Sequence, residues 1–300
     1  MSNLNFVEAI VVGLFQGVTE LFPVSSLGHS ILIPALIGGR WAQDLNVSAP
    51  ESPYLAFIVG LHVATAAALL LFFWRDWVVI VVGFVSSIRH RRIQTTGERM
   101  AWLMVVGTIP VGICGLALDH VFRTTLGKPV PAAAFLIANG FVLYAGERLR
   151  RRHDGAEGPG DDQDHETTGV DDQLAEMSLT QGALIGSAQT LALLPGISRS
   201  GVTIAAGLLR GLTHDEAARF SFLLATPVIL AAGVFKIPDL LGPMGAGIGG
   251  QVVAGSIASF VSAYLAVRFL TGYFHTRTLT PFAIYCVLAG AGSLIWLSLR

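Results

Sequence analysis

The sequence predicts an all-α fold, namely a polytopic integral membrane bundle of helices. Its 300 residues are 53% hydrophobic and only 13% charged, with a mean hydropathy of +0.64, whereas about 25% of the residues in soluble domains are charged. The apolar residues also form long uncharged runs, such as 101–118 and 281–299. A bilayer core about 30 Å thick needs about 20 such residues per helix. These runs therefore predict helices that cross a membrane.

Six apolar segments are long enough to be whole membrane spans. In chain order they are 53–73, 100–118, 131–149, 217–235, 252–270 and 280–299. A shorter apolar stretch, 77–88, predicts a half-span or a helix that lies at the membrane interface. The acidic, glycine-containing segment 150–177 predicts a disordered loop between two membrane halves, 1–149 and 178–300.

Two further apolar segments, 4–38 and 179–211, are each interrupted near the middle by a polar cluster that begins with proline. The clusters read PVSSLGH at 23–29 and PGISRSG at 195–201. Because proline ends or kinks a helix, each segment is predicted to be a broken helix. Broken segments at corresponding positions of two halves are typical of an inverted repeat with its binding site near mid-membrane. The predicted bundle therefore contains two broken re-entrant helix hairpins in an inverted repeat.

Arginine clusters predict which ends of the helices face the cytoplasm, because basic residues are enriched on that side. The first cluster precedes the span at 100–118 and consists of Arg75, Arg89, Arg91, Arg92 and Arg99. The second cluster lies at the end of the span at 131–149 and consists of Arg148, Arg150, Arg151 and Arg152. Tracing the chain from these clusters places residues 40–52 on the outer side. We therefore expect the first broken segment to open outward and the second to open inward.

The first broken segment carries candidates for catalysis. Glu20 is an ionisable side chain inside an apolar segment, where burial is costly and usually serves a function. Gln16 lies four residues earlier on the same helical face. Ser26 and His29 follow the break at helical spacing, so a carboxylate, a hydroxyl and an imidazole lie within ten residues. This set suffices for an activated nucleophile and general acid–base catalysis, although polar side chains at a helix break can equally satisfy freed carbonyl groups.

The second broken segment predicts an anion site. Arg199 lies where the second half of the broken helix begins, so backbone N–H groups and the helix dipole point to the same place. Its guanidinium adds a planar fork that suits phosphate oxygens. The candidate phosphate-binding residues around it are Ser25, Ser198, Ser200, Gly201 and Thr203. Instead of binding an anion, the Arg199 side chain could extend to the membrane interface. Instead of binding phosphate, the Ser25 side chain could satisfy backbone groups at the helix break.

Two further predictions concern a histidine and a metal. His62 lies on an otherwise apolar span, where a packed core histidine is at least as common as a catalytic one. The sequence contains no specific metal motif. Glu20 and Gln16 beside a bound phosphate nevertheless make a Mg²⁺ or Ca²⁺ site conceivable, because Mg²⁺ needs few protein ligands. A net charge of −1 argues against nucleic acid as a partner.

These residues resemble the undecaprenyl-diphosphate phosphatases of bacteria, also called bacitracin-resistance proteins. The first family signature, Glu/Gln-x-x-x-Glu running into Pro-Val-Ser-Ser-x-Gly-His, is matched by QGVTELFPVSSLGH at 16–29. The second signature, Pro-Gly-x-Ser-Arg-Ser-Gly, is matched at every fixed position by 195–201. Shorter matches extend the resemblance over nearly the whole chain; they are FWR at 73–75, GTIP at 107–110, SFLLATP at 221–227 and PFAIY at 281–285.

The resemblance implies a membrane enzyme that hydrolyses undecaprenyl diphosphate to the monophosphate and inorganic phosphate, recycling the carrier lipid of bacterial cell-wall synthesis. It places Glu20, Ser26, His29 and Arg199 on the family's functional positions, and it implies dependence on a divalent metal. It also implies a multi-pass protein of the bacterial inner (plasma) membrane. The expected partners are undecaprenyl diphosphate and membrane lipids, with a homodimer left open.

Two positions differ from the pattern of many family members. Gln16 stands where many members have glutamate, and His62 stands where glutamine is frequent. The first difference bears on metal binding, because an amide lacks the charge of a carboxylate. The second leaves the role of the histidine open.

The expected mechanism combines the two clusters. Arg199 and the helix N-terminus bind the diphosphate, Ser26 is the nucleophile with His29 as its proton partner, and Glu20 orients the metal or a catalytic water. A variant in which water is the nucleophile, Glu20 is the base and Ser26 only binds phosphate stays open.

Two other protein classes share parts of this pattern. A lipid-phosphate transporter or flippase is the main alternative, because broken helices in inverted repeats also build carriers. The other lipid-phosphatase superfamily has Ser-Gly-His and Ser-Arg elements. Its second histidine and its Lys/Arg-rich opening motif are not found at the expected places in this sequence.

Overall fold

The computed structural model of the protein describes residues 4–45, 53–121, 125–156, 174, 176–242 and 247–299. Within them the regular elements are all helical, which confirms the predicted all-α class. In chain order the α-helices are α1 (Phe6–Leu21), α2 (Ser26–Ile37), α3 (Gly39–Asp44), α4 (Pro53–Phe72), α5 (Trp74–His90), α6 (Thr96–Val121), α7 (Pro129–Ala156), α8 (Leu179–Ser187), α9 (Arg199–Leu208), α10 (His214–Leu241), α11 (Gly249–Phe274) and α12 (Thr280–Ser298). A 3₁₀ helix, Ala188–Leu193, follows α8.

Among the described residues, five helices are long and apolar enough to cross a membrane. They are Thr96–Leu118, Pro129–Arg152, His214–Val234, Gly249–Phe274 and Thr280–Ser298, and each overlaps a span predicted from the sequence. The remaining predicted span, 53–73, corresponds to α4. Its segment Gly60–Phe72 meets α5 at a bend of 88°, so the bent pair adds at most a sixth span. The chain therefore has the architecture of a multi-pass helical membrane protein.

Helix α7 is longer than the sequence pattern predicted. It continues to Ala156, so the predicted loop at 150–177 begins later than expected. An ion pair between Arg151 Nε and Glu147 Oε1 (3.2 Å), one helical turn apart, stabilises this extension. Most of the predicted loop, 157–173, lies outside the described residues.

Helix α1 packs along α11 with very little space between the two backbones. A Cβ atom at Gly13 would lie 2.3 Å from the carbonyl oxygen of Gly255, and one at Gly17 would lie 2.3 Å from the carbonyl oxygen of Ser259. Membrane helices use small residues for such close approach. This contact fixes α1, and with it the side chains near its C-terminus, against a long spanning helix.

The chain before α1 and the chain after α3 contribute to the same apolar cluster. Leu4, which precedes α1, and Leu45, which follows α3, are both buried in one small apolar cluster. Ile248, the residue before α11, belongs to the same cluster. This cluster therefore marks one end of the bundle.

The second broken segment begins and ends beside residues of the arginine-rich regions. Before α8, the carbonyl oxygen of Met177 accepts a hydrogen bond from Arg99 Nε (3.3 Å). After α9, His214 Nε2 lies 2.8 Å from Glu147 Oε2. Phe274, the last residue of α11, lines the same cavity as Glu147 and His214. Helix α11 thus runs from the apolar end cluster to this arginine-rich end.

Candidate functional site

The first helix break lies between α1 and α2. Ser25 has a left-handed backbone conformation (φ +69°), which is unusual for a residue other than glycine. Its side-chain oxygen caps α2 by accepting a hydrogen bond from the N–H of Gly28 (3.2 Å). The sharp turn brings Ser26, the first residue of α2, against Glu20 near the end of α1.

The second helix break lies between the 3₁₀ helix and α9. Ser198 caps α9 by accepting from the N–H of Gly201 (3.2 Å), so Arg199 is the first residue of the helix. Gly196 in the break has φ +112°, a conformation that favours glycine. A Cβ atom there would also lie 2.3 Å from the carbonyl oxygen of Ala132. The tight turn therefore requires a glycine, and it sets the N-terminus of α9 beside the first break.

Buried hydrogen bonds join the two breaks directly. The Ser25 hydroxyl oxygen accepts from the N–H of Gly196 (3.2 Å), in addition to its bond within α2. The Ser200 hydroxyl donates to the carbonyl oxygen of Phe22 (3.2 Å). Each bond satisfies a backbone group that the helix breaks leave without a partner in the helix. The breaks consequently form one structural unit.

Asn139 on α7 bridges the same two breaks. Its side chain is fully buried, its Nδ2 donates to the carbonyl oxygen of Pro23 (3.0 Å), and its Oδ1 accepts from the N–H of Ser198 (2.9 Å). An unsatisfied buried backbone group costs about 1–3 kcal/mol, so this amide stabilises both turns at once. Asn139 is a structural residue of the site that the sequence patterns did not single out.

Glu20 is the centre of a buried polar cluster. Its Oε1 accepts from Arg199 Nη2 (3.0 Å), and its Oε2 accepts from Gln16 Nε2 (3.1 Å) and from the Ser26 hydroxyl. His62 Nε2 lies 3.6 Å from Glu20 Oε2 and 3.4 Å from Gln16 Nε2. The fold therefore brings four of the predicted residues together from α1, α2 and α9, and it adds His62 from α4.

Arg199 has one nitrogen available for a ligand. Its Nη2 binds Glu20, whereas its Nη1 is buried and has no hydrogen-bond partner within the described part of the chain. Leaving a buried charged donor unpaired is costly, so an accepting atom next to Nη1 would be favoured. Arg199 is also the first residue of α9, and the helix dipole favours anions at that end. Together these features suit a phosphoryl oxygen.

The His29 ring makes no hydrogen bond to the Ser26 hydroxyl, unlike the expected proton-transfer pair. Its Nδ1 lies 2.7 Å from the carbonyl oxygen of Ser25, and its Nε2 lies 2.7 Å from the hydroxyl of Tyr285 on α12. The physical reason is that the first bond follows the i, i−4 geometry of the helix start and turns the ring toward α12. The group that contacts the Ser26 hydroxyl is instead Glu20.

The remaining predicted phosphate ligands have partners inside the protein. The Ser25 and Ser198 oxygens cap α2 and α9, the Ser200 hydroxyl binds the first break, and the Thr203 hydroxyl donates to the carbonyl oxygen of Arg199 (2.7 Å). The N–H of Gly201 is the group that Ser198 caps. Phosphate binding by these five residues stays a prediction.

Three residues of the site, His62, Asn139 and Tyr285, reach it from distant parts of the sequence. Asn139 offers a usable signal, because a buried amide on an apolar span requires hydrogen-bond partners. His62 carried the same kind of signal, but a core histidine was an equal alternative. Tyr285 gave none, since tyrosine is common in membrane helices.

The described residues contain no group of three or more His, Cys, Asp or Glu side chains that could hold a metal. The side-chain oxygens at the centre of the site that could bind a cation are those of the Glu20 carboxylate and the Gln16 amide, and Gln16 Nε2 donates to Glu20 Oε2 (3.1 Å). Hard cations prefer such oxygen ligands, and Mg²⁺ often takes one or two from the protein and the rest from phosphate and water. The donor set therefore fits a cation that is held chiefly by its substrate.

Comparison with known proteins gives a consistent result over the whole chain. A family model described as bacitracin resistance protein BacA matches residues 9–292. An undecaprenyl-diphosphatase of Mycolicibacterium paratuberculosis is 72% identical over 303 residues, covering 100% of this chain and 99% of the relative. Undecaprenyl-diphosphatase 1 of Frankia casuarinae is 49% identical, covering 97% and 98%, and an undecaprenyl-diphosphatase of Granulibacter bethesdensis is 40% identical, covering 99% and 98%. The chain therefore belongs to the bacitracin resistance protein BacA family.

Proposed function

We propose that this protein hydrolyses undecaprenyl diphosphate to undecaprenyl phosphate and inorganic phosphate. The observation that carries the proposal is the contact of Glu20 with both Ser26 and Arg199 where two helix breaks meet. A proton acceptor, a hydroxyl and an anion-binding cation are the groups that phosphoryl transfer requires. Relatives of 40% to 72% identity carry the name of this activity. The reaction recycles the lipid carrier of cell-wall synthesis, supports bacitracin resistance and belongs in the bacterial inner membrane.

The contacts favour a covalent mechanism with Ser26 as the nucleophile. The Ser26 oxygen attacks the terminal phosphorus while its proton passes to Glu20, an O–P bond forms, and the bridging P–O bond breaks to release undecaprenyl phosphate. Water then attacks the phosphorus of the phosphoserine, the bond from phosphorus to the Ser26 oxygen breaks, the proton on Glu20 returns to that oxygen, and inorganic phosphate is released. Arg199 Nη1 donates hydrogen bonds to the nonbridging oxygens and stabilises their negative charge. In the competing mechanism water attacks directly, Glu20 is the base and Ser26 only binds phosphate.

An apolar cleft beside the polar cluster suits the isoprenoid tail. The cleft has a volume of about 340 Å³ and is lined by residues of α1, α2, α3, α7 and α12. Phe15, Leu36 and Leu136 are among its apolar lining residues, and His29 and Tyr285 form its polar edge. An uncharged chain of prenyl units gains free energy in such a groove. We place the tail there, so that the diphosphate reaches the Glu20 cluster.

The two broken segments are proposed to be re-entrant hairpins that enter the membrane from opposite faces as an inverted repeat. Support comes from residues near their ends: Leu4 and Leu45 belong to one apolar cluster, whereas Met177 contacts Arg99 and His214 contacts Arg150. Segments that return to their starting face do not span the membrane. A site at the meeting point of two such hairpins lies near mid-membrane.

A divalent cation, Mg²⁺ or Ca²⁺, is proposed as the cofactor. Glu20 and the Gln16 side-chain oxygen would hold it together with the substrate, and when bound it would neutralise charge on the diphosphate. Contact with bulk membrane lipids and assembly into a homodimer are also proposals. The apolar exposed faces of the spans support the first of these.

Phosphate release from undecaprenyl diphosphate by the purified protein tests the function. Assays with Mg²⁺ or Ca²⁺ are compared with EDTA, and the wild type is compared with Glu20→Gln and Arg199→Ala. We expect metal-dependent release that falls at least about 100-fold in both variants, because each removes a group that acts on the transition state. Arg268→Ala is the control, since this arginine is exposed on α11 and lies outside the Glu20 cluster.

The same assay separates the enzyme from the alternative. The paired broken segments also suit a lipid-phosphate transporter, which would move a substrate between two compartments without releasing phosphate. Well-folded wild-type protein that releases no phosphate in detergent would contradict the proposed hydrolysis. Lipid-phosphate exchange between the leaflets of proteoliposomes would then favour the transporter.

A further inference from the structure

A second polar cavity lies at the arginine-rich end of the bundle and shares no residue with the Glu20 cluster. Its volume is about 280 Å³, and it forms where α7 ends, α10 begins and the chain turns from α11 into α12. Its charged and titratable lining residues are Glu147, Arg150, Arg151, His214, His275 and Arg277. Because none of these residues belongs to the Glu20 cluster, the proposed hydrolysis does not account for the charge of this cavity.

The carboxylates around this cavity are already paired. Glu147 Oε1 accepts from Arg151 Nε (3.2 Å), and Glu147 Oε2 lies 2.8 Å from His214 Nε2. Asp215 Oδ2, beside the cavity, lies 3.5 Å from His275 Nδ1. Among the lining residues that the structure describes, three arginines stand against one glutamate. The cavity therefore carries a net positive charge and suits an anion.

Two of the arginines lie on ordered parts of the wall, although only the Arg150 side chain has a contact that fixes it. Arg150 contacts His214 Nδ1, and His214 in turn binds Glu147, so this chain of contacts fixes the guanidinium. Arg277 lies exposed on the turn after α11, which is held by a hydrogen bond from the Tyr273 hydroxyl to the carbonyl oxygen of Thr278 (3.3 Å). The cations thus converge from two separate elements, as in a built binding site.

The position of the cavity indicates the class of ligand. The spans Pro129–Arg152 and Gly249–Phe274 end at it, and His214–Val234 and Thr280–Ser298 begin beside it, so it lies at the level of lipid headgroups. Basic residues mark this end as the cytoplasmic face, whose leaflet is rich in anionic lipids. We propose that the cavity binds the phosphate group of an anionic phospholipid of the inner leaflet.

The test measures binding of phosphatidylglycerol with a fluorescent acyl chain to full-length protein in a neutral detergent, by fluorescence anisotropy. The variants are made in the wild-type background, and Arg199→Ala is a separate arm that reports any binding of the probe at the mid-membrane anion site. Arg277→Gln and Arg150→Gln are compared with Arg268→Gln, an exposed arginine of α11 that does not line the cavity. Unlabelled phosphatidylglycerol, phosphatidylcholine and inorganic phosphate are the competitors.

We expect saturable binding that weakens about fivefold in each cavity variant, the factor that one basic residue contributes near an anionic surface. Arg268→Gln should bind as the parent protein does, and only unlabelled phosphatidylglycerol should compete. Equal affinity in all three arginine variants, or competition by phosphatidylcholine, would overturn the proposal. Competition by inorganic phosphate would show that the cavity binds free phosphate, and would contradict the proposed phospholipid ligand. An unchanged melting temperature of Arg277→Gln excludes unfolding as the cause of weaker binding.

Discussion

At the scale of single residues, the proposed chemistry depends on one buried carboxylate that serves several partners. Glu20 and Arg199 are only 8% and 11% exposed, and they form an ion pair of 3.0 Å. Removing one partner of a buried pair leaves an uncompensated charge and costs about 3–5 kcal/mol. Loss of activity in Arg199→Ala therefore has to be read together with a stability measurement. Glu20→Gln is the milder change, because its amide keeps the shape of the carboxylate.

Ser26→Ala tests which group attacks phosphorus. Because the Ser26 hydroxyl donates to Glu20, we expect it to be the activated nucleophile, and its removal should lower kcat at least about 100-fold. Rapid acid quenching of the wild type during turnover should reveal phosphoserine by mass spectrometry. The control is Ser30→Ala, one turn further along α2, whose hydroxyl interacts with Tyr54. Sustained turnover by Ser26→Ala would rule out the covalent route and leave water as the nucleophile.

The sequence predicted which side chains form the site better than it predicted which of them form hydrogen bonds with each other. Glu20 and Arg199 stand out because charge inside an apolar segment is costly. The partner of His29 could not be predicted, because Tyr285 lies 256 residues away and only the packing of α12 brings it close. Asn139 contacts both breaks for the same reason, from a span with no other unusual feature.

At the scale of elements, the site depends on how closely helices approach one another. The two breaks meet with so little space that a Cβ atom at Gly28 would lie 2.9 Å from Gly196 Cα. The apolar runs predicted where helices cross the membrane, but they did not predict the end of α7 or the bend of 88° between α4 and α5. Helix ends are set by local ion pairs and turn conformations, which hydropathy does not report.

Gly13→Ala tests the close packing of α1 on α11. The new Cβ atom would lie 2.3 Å from the Gly255 carbonyl oxygen, so the two backbones must separate. We expect a loss of about 1–3 kcal/mol in stability, seen as a lower melting temperature in detergent, together with reduced phosphate release because Glu20 lies further along α1. Gly112→Ala on α6 is the matched control, since its Cβ meets nothing within 4 Å and alanine favours the helix. Equal melting temperatures for the two variants would contradict this account.

At the scale of the whole molecule, the two ends of the bundle differ in chemistry. One end holds the apolar cluster of Leu4, Leu45 and Ile248, and the other holds the arginine-rich regions with the positively charged cavity. In the proposed inverted repeat, α1 reaches the catalytic cluster from the first end, and α9 belongs to a segment that enters from the second end and returns to it. Such an arrangement would bring both broken segments to one polar site, within a bundle whose five spans are long and apolar enough to cross a membrane.

Membrane topology tests whether both broken segments are re-entrant. Single cysteines are placed at the exposed positions Ile37, Lys128, Glu176 and Arg210 in a Cys114→Ala background, because Cys114 is half-buried and Cys286 is buried. An impermeant maleimide added to intact spheroplasts should label Ile37→Cys and Lys128→Cys, whereas Glu176→Cys and Arg210→Cys should react only after permeabilisation. The reason is that 176 and 210 flank one segment at the arginine-rich face, while α2 returns to the opposite face. If Arg210→Cys were labelled from outside and Glu176→Cys were not, the second segment would span the membrane, and the proposed inverted repeat would be wrong.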